Sequence, residues 1–180
     1  AWSTAATESV SVSATNDTPT ITVGDGTPAF TEMNGSDTGA NAVVINGTVA
    51  ITDLDGTNPQ KATVTITNAK TGDQLLFTNT ADIEGSYAGG VLTLTAVSGR
   101  TPTEADFETA LSSVKFNNIS DTPDTTARTI EFKVQDAANA WITAATESVS
   151  VSATNDTPTI TVTDGTPAFT EMNGSDTGAN

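Results

Sequence analysis

The chain repeats itself over a long interval, and this repeat limits its possible folds more than any other feature. Residues 1–41 recur as residues 140–180 with only two substitutions. Trp2 corresponds to Trp141, which lies 139 residues later. A period of this length suits one whole domain of a tandem array, because single domains most often hold about 100 to 150 residues. The alternative is one closed domain that contains two copies of a short segment.

The repeat predicts three parts of the chain. Residues 1–15 match the last strand of a unit, residues 16–157 hold one complete unit, and residues 158–180 begin the next unit. Both ends therefore fall inside a unit, and we expect the partners to be adjacent copies of the same repeat. The copies join in tandem or, if residues 1–15 complete the partial unit of another chain, head to tail.

Composition excludes several classes of function. The net charge is −16 with only six basic residues, so we expect no binding to nucleic acid or to anionic lipid. The sequence contains no run of 18 apolar residues, so it predicts no membrane-spanning helix. The chain has neither histidine nor cysteine, which removes the commonest general base and the thiol nucleophile. We predict that the chain is not an enzyme, although glycosidases do work with two carboxylates alone.

Apolar and polar residues alternate along most of the chain, which is the pattern of half-buried strands. Val49 and Ile51 form one such run, and the segment 130–134 forms another. Clusters of Gly, Asn, Asp and Pro separate the runs, and Gly89 with Gly90 predicts a hairpin turn. About seven to nine short strands with this punctuation predict an all-β fold, specifically a Greek-key β-sandwich of the cadherin-like or immunoglobulin-like kind.

One segment near residues 102–113 departs from this pattern and predicts a short helix. Thr101 is the expected N-cap, with Pro102 at the first helical position and Glu104 at the third. The following apolar residues have helical spacing, and we expect them to face the core: Phe107, Ala110, Leu111 and Val114.

The order of the strands predicts where the acidic loops meet. Asp53 and Asp55 follow a strand that returns toward the start of the unit, and Asp136 follows the penultimate strand, which returns in the same direction. These three residues should therefore lie near Asn16 and Asp17, at the joint between units. Solvated acidic turns are the alternative, since Asp and Asn also favour turns for conformational reasons.

Carboxylates that converge are costly unless a cation neutralises them. Calcium binds six to eight oxygens in irregular geometry, whereas magnesium demands a regular octahedron. Asp53 and Asp55 offer two carboxylates on one turn, Asp136 offers a third, Asn16 an amide oxygen and Thr18 a backbone carbonyl. The sequence therefore predicts a Ca²⁺ site at this joint.

Three motifs resemble one known family. They are Phe-Thr-Glu at 30–32, Ile-Thr-Asp-Leu-Asp-Gly at 51–56 and Ala-Thr-Asn-Asp-Thr-Pro at 153–158. In this order they resemble the cadherin-like repeats of giant bacterial surface adhesins, the RTX adhesins. The resemblance covers the whole unit of 139 residues. It implies an extracellular extender repeat on a bacterial cell surface, which projects a distal ligand-binding region and is stiffened by calcium at its joints.

The same resemblance implies a set of calcium ligands. The linker ligands correspond to Asn16 and Asp17, and those of the Asp-x-Asp loop to Asp53 and Asp55. The acid after the penultimate strand corresponds to Asp136, and the glutamate on the first strand to Glu32. A second linker, Asn155 and Asp156, is implied to form an incomplete site, because its downstream loops lie beyond residue 180. The motif Thr18-Pro19 replaces the final asparagine of the cadherin linker, which favours one or two ions per joint.

A binding module is the alternative function, in which the sandwich itself grips a carbohydrate or another surface. Such faces usually carry an aromatic stripe or a regular threonine array. The chain has only two Trp and one Tyr, and its threonines are scattered over many predicted strands. Trp2 and Trp141 are therefore interpreted as packing residues, and the extender remains the preferred prediction.

Overall fold

Strands make up most of the regular structure in the computed structural model, which describes residues 1–35, 37–56 and 58–165. The all-β prediction is confirmed at this level. The described residues form eleven strands, where seven to nine were predicted; six of the eleven have only two to four residues. The strands are β1 (Thr20–Val23), β2 (Ala29–Thr31), β3 (Val43–Val44), β4 (Val49–Thr52), β5 (Lys61–Ile66), β6 (Asp73–Leu76), β7 (Ile83–Ala88), β8 (Val91–Ala96), β9 (Lys115–Asn118), β10 (Arg128–Gln135) and β11 (Ala145–Ser152).

The strands form three sheets of two, six and three strands. Their orders are β1-β4, then β2-β11-β10-β5-β8-β7, then β3-β9-β6. All pairings are antiparallel except that of β2 with β11, which is parallel. Gly89 and Gly90 join β7 to β8 with φ angles of 58° and 83°, so the predicted hairpin is confirmed. Both angles require the left-handed region, which glycine enters without steric cost.

The three sheets share one apolar core. Phe30 of the six-stranded sheet meets Phe116 of the three-stranded sheet edge to face, with ring centroids 5.5 Å apart. Both rings are fully buried. Edge-to-face packing of this kind adds to the free energy that burial alone provides. The core joins residues of every sheet, including Ile21, Ile51, Val64, Leu75, Leu94, Ile130, Phe132 and Val149.

The helix α1 (Glu104–Ser112) begins two residues later than its predicted cap, at Thr103 rather than Thr101. Thr103 and Asp106 form a capping box, in which each side chain accepts a hydrogen bond from the backbone N–H of the other residue. Thr101 with Glu104 has the same spacing, but the structure uses the later pair. The predicted core stripe is confirmed, since all four of its residues are buried: Phe107, Ala110, Leu111 and Val114.

Helix α1 also completes the hydrogen bonding of β4. The N–H of Ile51 donates to Glu108 Oε1 at 2.8 Å, and the N–H of Val49 donates to Ser112 Oγ at 3.1 Å. β4 pairs with β1 alone, so these helix side chains satisfy donors that no strand covers. The helix thereby fixes the course of β4, which leads directly into Asp53.

A buried ion pair holds the start of β10. Arg128 Nε lies 2.7 Å from Asp73 Oδ2 and Arg128 Nη2 lies 3.2 Å from Asp73 Oδ1, so the pairing is bidentate. The two side chains are 0% and 1% exposed. Asn118 Nδ2 also donates to Asp73 at 2.7 Å, and Arg128 Nη1 donates to the carbonyl of Thr126. The charges are thus both paired and hydrogen-bonded, as burial requires.

Residues 1–19 form no strand, and Trp2, Val10 and Val12 are exposed. The same sequence forms β11 at Ala145–Ser152, where β10 and β2 supply partners on both sides. Alternation alone therefore does not make a strand; neighbouring strands must also be present. Much of the predicted partial unit 158–180 lies outside the described residues. In the part that is described, no helix is long and apolar enough to cross a membrane.

Replacing Arg128 by methionine should lower the free energy of unfolding by about 3 to 5 kcal/mol, because it leaves the Asp73 carboxylate buried without its cation. Arg100→Met is the matched control. Arg100 pairs with Asp82 at 3.5 Å on the surface, where an ion pair contributes less than about 1 kcal/mol. Urea denaturation of both variants measures the difference, and equal losses would contradict the assignment.

Candidate functional site

The loops after β4 and β10 emerge at the same end of the unit. Gln60, just before β5, donates its N–H to the carbonyl of Gln135 at 2.8 Å, so β5 begins where β10 ends. The loop of residues 53–56 precedes β5, and the loop of residues 136–140 follows β10. Both acidic loops therefore lie at one end, which is called the entry end because residues 16 and 17 reach it.

The segment before β1 is hydrogen-bonded to both loops. Asn16 Nδ2 donates to Asp136 Oδ2 at 2.8 Å, across 120 residues of sequence. The N–H of Asp17 donates to Asp55 Oδ2, also at 2.8 Å. Asp53 belongs to the same turn, since the N–H of Gly56 donates to its carbonyl at 3.3 Å. Five of the eight residues predicted as ligands are thus brought together at the entry end.

Asp136 is the most rigidly held of the five. Its side chain is fully buried, and Oδ1 accepts the N–H of Ala140 at 2.8 Å. Its own N–H donates to the carbonyl of Ala140 at 3.0 Å, which closes a tight turn. Asn139 adopts a φ of 64° in this turn, a conformation that asparagine tolerates better than most residues. The carboxylate is therefore fixed in place before any ligand binds.

Glu104 adds a further carboxylate that the sequence analysis treated only as part of a helix start. Burial raises the pKa of Glu104, the negative charges of Glu108 and Asp53 raise it further, and the N–H of Asp53 lowers it. Its Oε1 atom is buried and accepts no hydrogen bond. A carboxylate strained by like charges is one that a bound cation would relieve.

The entry end suits a hard cation by the type of its atoms, because it offers carboxylate, amide and backbone oxygens without nitrogen or sulfur ligands. Within the described ranges, no three acidic side chains form a group that could hold a metal ion by themselves. Amide oxygens, backbone carbonyls and water would have to complete the shell, as calcium permits. Calcium at this end stays a prediction.

The other three predicted ligands lie elsewhere. Glu32 Oε2 accepts the N–H of Thr154 at 2.7 Å, and Asp156 Oδ1 accepts the N–H of Gly35 at 2.6 Å. Asn155 stands between these contacts in the chain. β11 runs antiparallel to β10, so it ends away from the entry end. The end of the unit where β11 finishes is called the exit end. A strand of eight residues spans about 26 Å, and this distance separates Glu32 and the exit end from the entry end.

Two surface clefts give no sign of a sugar site or an active site. One, of about 490 Å³, is lined by residues 24–28 and 44–48, and the other, of about 410 Å³, includes Asn58, Gln60 and Arg100. Neither is lined by an aromatic ring or by a pair of acids. Sugar recognition commonly uses an aromatic ring as a stacking surface, and neither cleft provides one.

Comparison of the chain with models of protein families, with curated protein sequences and with solved structures gives no match. Its function must therefore be argued from its own residues and their contacts. The resemblance to adhesin repeats depends on the order of three motifs and stays a prediction.

Replacing Glu104 by glutamine should stabilise the protein at neutral pH in the presence of a chelator. The folded state raises the pKa of Glu104 above its ordinary value of 4.5, so it binds the proton more tightly than the unfolded state does. The contribution of Glu104 to the free energy of unfolding is therefore full below pH 4.5. It is lost as the pH rises from 4.5 through the raised pKa that Glu104 has in the folded state.

The difference in stability between the Glu104→Gln variant and the unchanged protein should accordingly shrink as the pH falls toward 4. Thermal unfolding with chelator at a series of pH values measures it. Glu84→Gln, at an exposed position of β7, is the control for the chemical change alone. A stabilisation that does not depend on pH would count against the role of charge.

Proposed function

We propose that this chain is a structural extender repeat of a secreted or cell-surface bacterial adhesin, stiffened by calcium at the joints between units. The observation that carries the proposal is the docking of the linker onto two separate loops, through Asn16 with Asp136 and Asp17 with Asp55. In an array, residues 16 and 17 would connect one unit to the next. A linker held in this way fixes the angle between neighbours, whereas a free linker would let them turn.

The positions of the two linkers support an extended array. The first linker contacts the entry end, and Asp156 of the second contacts Gly35 at the exit end. Units joined through opposite ends follow one another in a line, so each repeat adds length. We take the sheets that share the Phe30–Phe116 contact to be the two layers of a Greek-key β-sandwich of the cadherin-like kind.

Calcium is the cation that we propose, and its role follows from charge. Asp17, Asp53, Asp55, Glu104 and Asp136 bring five carboxylates to one end of a protein with a net charge of −16. Like charges gathered at one end repel, and a divalent cation bound among them would convert this repulsion into attraction. Asn16, Asp17, Asp53, Asp55 and Asp136 would hold the ion, with Glu104 beside it.

A carbohydrate- or surface-binding module has less support. The clefts carry no aromatic ring. Trp141 is 44% exposed, but it forms a bridge with Gln135 beside the entry end, which suits a packing role at the joint. We therefore place ligand recognition in a distal region of the whole protein and give this repeat a mechanical role, without enzymatic activity.

Calcium should raise the free energy of unfolding, because it binds the folded state and not the unfolded one. At a concentration about a hundred times its Kd, each site contributes roughly 2.7 kcal/mol. The Asp55→Asn variant should lose the part of this calcium-dependent stabilisation that comes from the entry end. Its amide oxygen can still accept the hydrogen bond from the N–H of Asp17, but the negative charge of the carboxylate is gone. Thermal unfolding with calcium and with chelator measures this.

The matched control is Asp121→Asn, which makes the same change at an exposed position outside the two acidic loops of the entry end. It should keep the full calcium-dependent shift. If Asp55→Asn and Asp121→Asn respond equally to calcium, the entry end is not a calcium site.

Two complete units joined in tandem should become longer on average when calcium is added. The physical reason is that a neutralised joint holds the units in line, whereas a repelling joint lets them bend. Small-angle X-ray scattering with calcium and with chelator reports the maximum dimension. An unchanged dimension would leave calcium as a stabiliser of single units and would contradict its role at the joint.

A further inference from the structure

We propose that Asn34 is a site of spontaneous deamidation, and that residues 154–157, the exit segment, protect it while they are docked on the exit end. When the exit segment leaves, Asn34 converts to aspartate or isoaspartate, and the product opposes the return of the segment. The modification would thus mark an exit end that has been opened. It needs no calcium, and its existence does not depend on the function proposed above.

An asparagine that precedes glycine deamidates more readily than one before any other residue, because glycine has no Cβ to hinder its own nitrogen. In the reaction the backbone nitrogen of the glycine loses its proton and bonds to Cγ of the asparagine, and the side-chain nitrogen leaves as ammonia with that proton. Water then opens the resulting succinimide at either carbonyl, which gives aspartate or isoaspartate. The chain contains three Asn-Gly pairs, at 34–35, 46–47 and 173–174.

The exit segment holds both groups of the first pair that would react. The N–H of Gly35, whose nitrogen is the nucleophile, donates to Asp156 Oδ1 at 2.6 Å. The negative charge of Asp156 opposes loss of this proton, because a nearby charge of the same sign disfavours an anion. The amide of Asn34 bonds to Thr157 twice, with Nδ2 donating to Oγ1 and Oδ1 accepting the N–H, both at 3.2 Å. Ring closure would have to break these contacts.

The docking of the exit segment continues the parallel pairing of β2 with β11. The N–H of Glu32 donates to the carbonyl of Ser152 at 2.9 Å, and Thr154 donates to Glu32 through its N–H at 2.7 Å and its Oγ1 at 2.6 Å. Glu32 is buried, whereas Asn34 and Thr157 are exposed. The outer part of the segment can therefore open without unfolding of the core, since local opening costs least where little is buried.

Asn46 shows the contrast of a pair that the core itself protects. It is 4% exposed, and its Nδ2 donates to the carbonyl of Gly24 at 2.7 Å and to Glu147 Oε2 at 2.8 Å. Its Oδ1 accepts the N–H of Thr48 at 2.9 Å. None of these contacts involves the exit segment, so opening of the exit end would leave Asn46 protected and expose Asn34 alone of the two.

The charge of the product opposes redocking. An aspartate at position 34 places a carboxylate next to the contact of Asp156 with Gly35, and the two carboxylates repel. No basic side chain neutralises Asp156 among the described ion pairs. Isoaspartate also adds a carbon to the backbone, which displaces the N–H of Gly35 from its acceptor. The hydroxyl of Thr157 can turn to donate to the new carboxylate, so charge and backbone length, rather than a lost hydrogen bond, keep the segment away.

Equivalent residues of the two linkers use different atoms. Asp17 uses its N–H toward Asp55 of its own unit, whereas its counterpart Asp156 uses Oδ1 toward Gly35 of the unit before it. In an array, which rests on the function proposed above, one linker residue would therefore make both contacts at once. Conversion of Asn34 would loosen the joint on one side only and leave the contact with the following unit in place.

The test incubates the full chain at mildly alkaline pH with a chelator and follows each asparagine by mass spectrometry of tryptic peptides. Trypsin separates the two copies, because Asn34 precedes Lys61 and Asn173 follows Lys133. Asn34 should convert at least about tenfold more slowly in the folded protein than in guanidinium chloride, because loss of a hydrogen bond to a charged group shifts an equilibrium by about this factor or more. Asn173 has the same neighbours in sequence and should match the rate of Asn34 in the denaturant.

The Asp156→Ala variant should lose most of the protection of Asn34, because it releases the N–H of Gly35. Asp164→Ala makes the same change at an exposed position further along the chain and should keep the protection. Asn46 should stay unconverted in both variants, which verifies that the core is folded. Equal rates at Asn34 in the two variants overturn the proposal. So does faster conversion in the folded protein than in the denaturant, since Asp156 would then promote the reaction as a base.

The effect of the product is tested with Asn34→Asp, which should speed the hydrogen exchange of the amides of Gly35 and Thr157 in the folded protein. Asn58→Asp makes the same change at an exposed position near the entry end and should leave both amides as they are. Equal exchange in the two variants would show that the product does not keep the exit segment away. Because a chelator is present throughout, each result is independent of whether the entry end binds calcium.

Discussion

The pairing of β10 with β5 on one side and β11 on the other sets the positions of nearly everything else. Ile130 pairs with Ile66 in one neighbour and with Glu147 in the other. The inward-facing positions of β10 are buried from Arg128 at its start, and Asp136 immediately after it is buried as well. A slip of one residue would turn these two charged side chains outward and break both Arg128–Asp73 and Asp136–Asn16. The register of one strand therefore fixes a polar anchor at each end of the unit.

Local patterns in the sequence were sufficient for much of the fold. Period-two runs predicted the long strands, Gly89 with Gly90 predicted the hairpin, and helical spacing identified the buried face of α1. The alternating runs did not include β3, which has only two residues, or β9, whose four residues do not alternate between exposed and buried. The helix cap was misplaced because Thr101 and Thr103 each have an acid three residues later, and sequence spacing cannot choose between two equivalent boxes.

The candidate sites show a different limit. The direction of the strands sufficed to bring Asp53, Asp55 and Asp136 to one end, because direction depends only on the number of strand reversals. Which oxygen of a carboxylate remains unpaired depends on backbone N–H groups that are far away in sequence. The N–H of Thr154 engages one oxygen of Glu32 across 122 residues, and no local pattern contains that fact. Glu104 was overlooked for a similar reason, since its neighbour Asp53 belongs to the loop after β4, far away in the sequence.

Residues 6–13 and β11 have the same sequence, but only the latter are paired in a sheet. In an array of such units, the slot between β10 and β2 would accept the last strand of any repeat equally well. Side-chain complementarity then cannot distinguish a correct partner from the same strand of a neighbour. The choice is left to connectivity, because a short tether gives the strand of the same unit a much higher effective concentration than its competitors have. Fidelity of assembly in such an array would thus depend on the connection between β10 and β11 rather than on side-chain contacts, and a longer connection would reduce it.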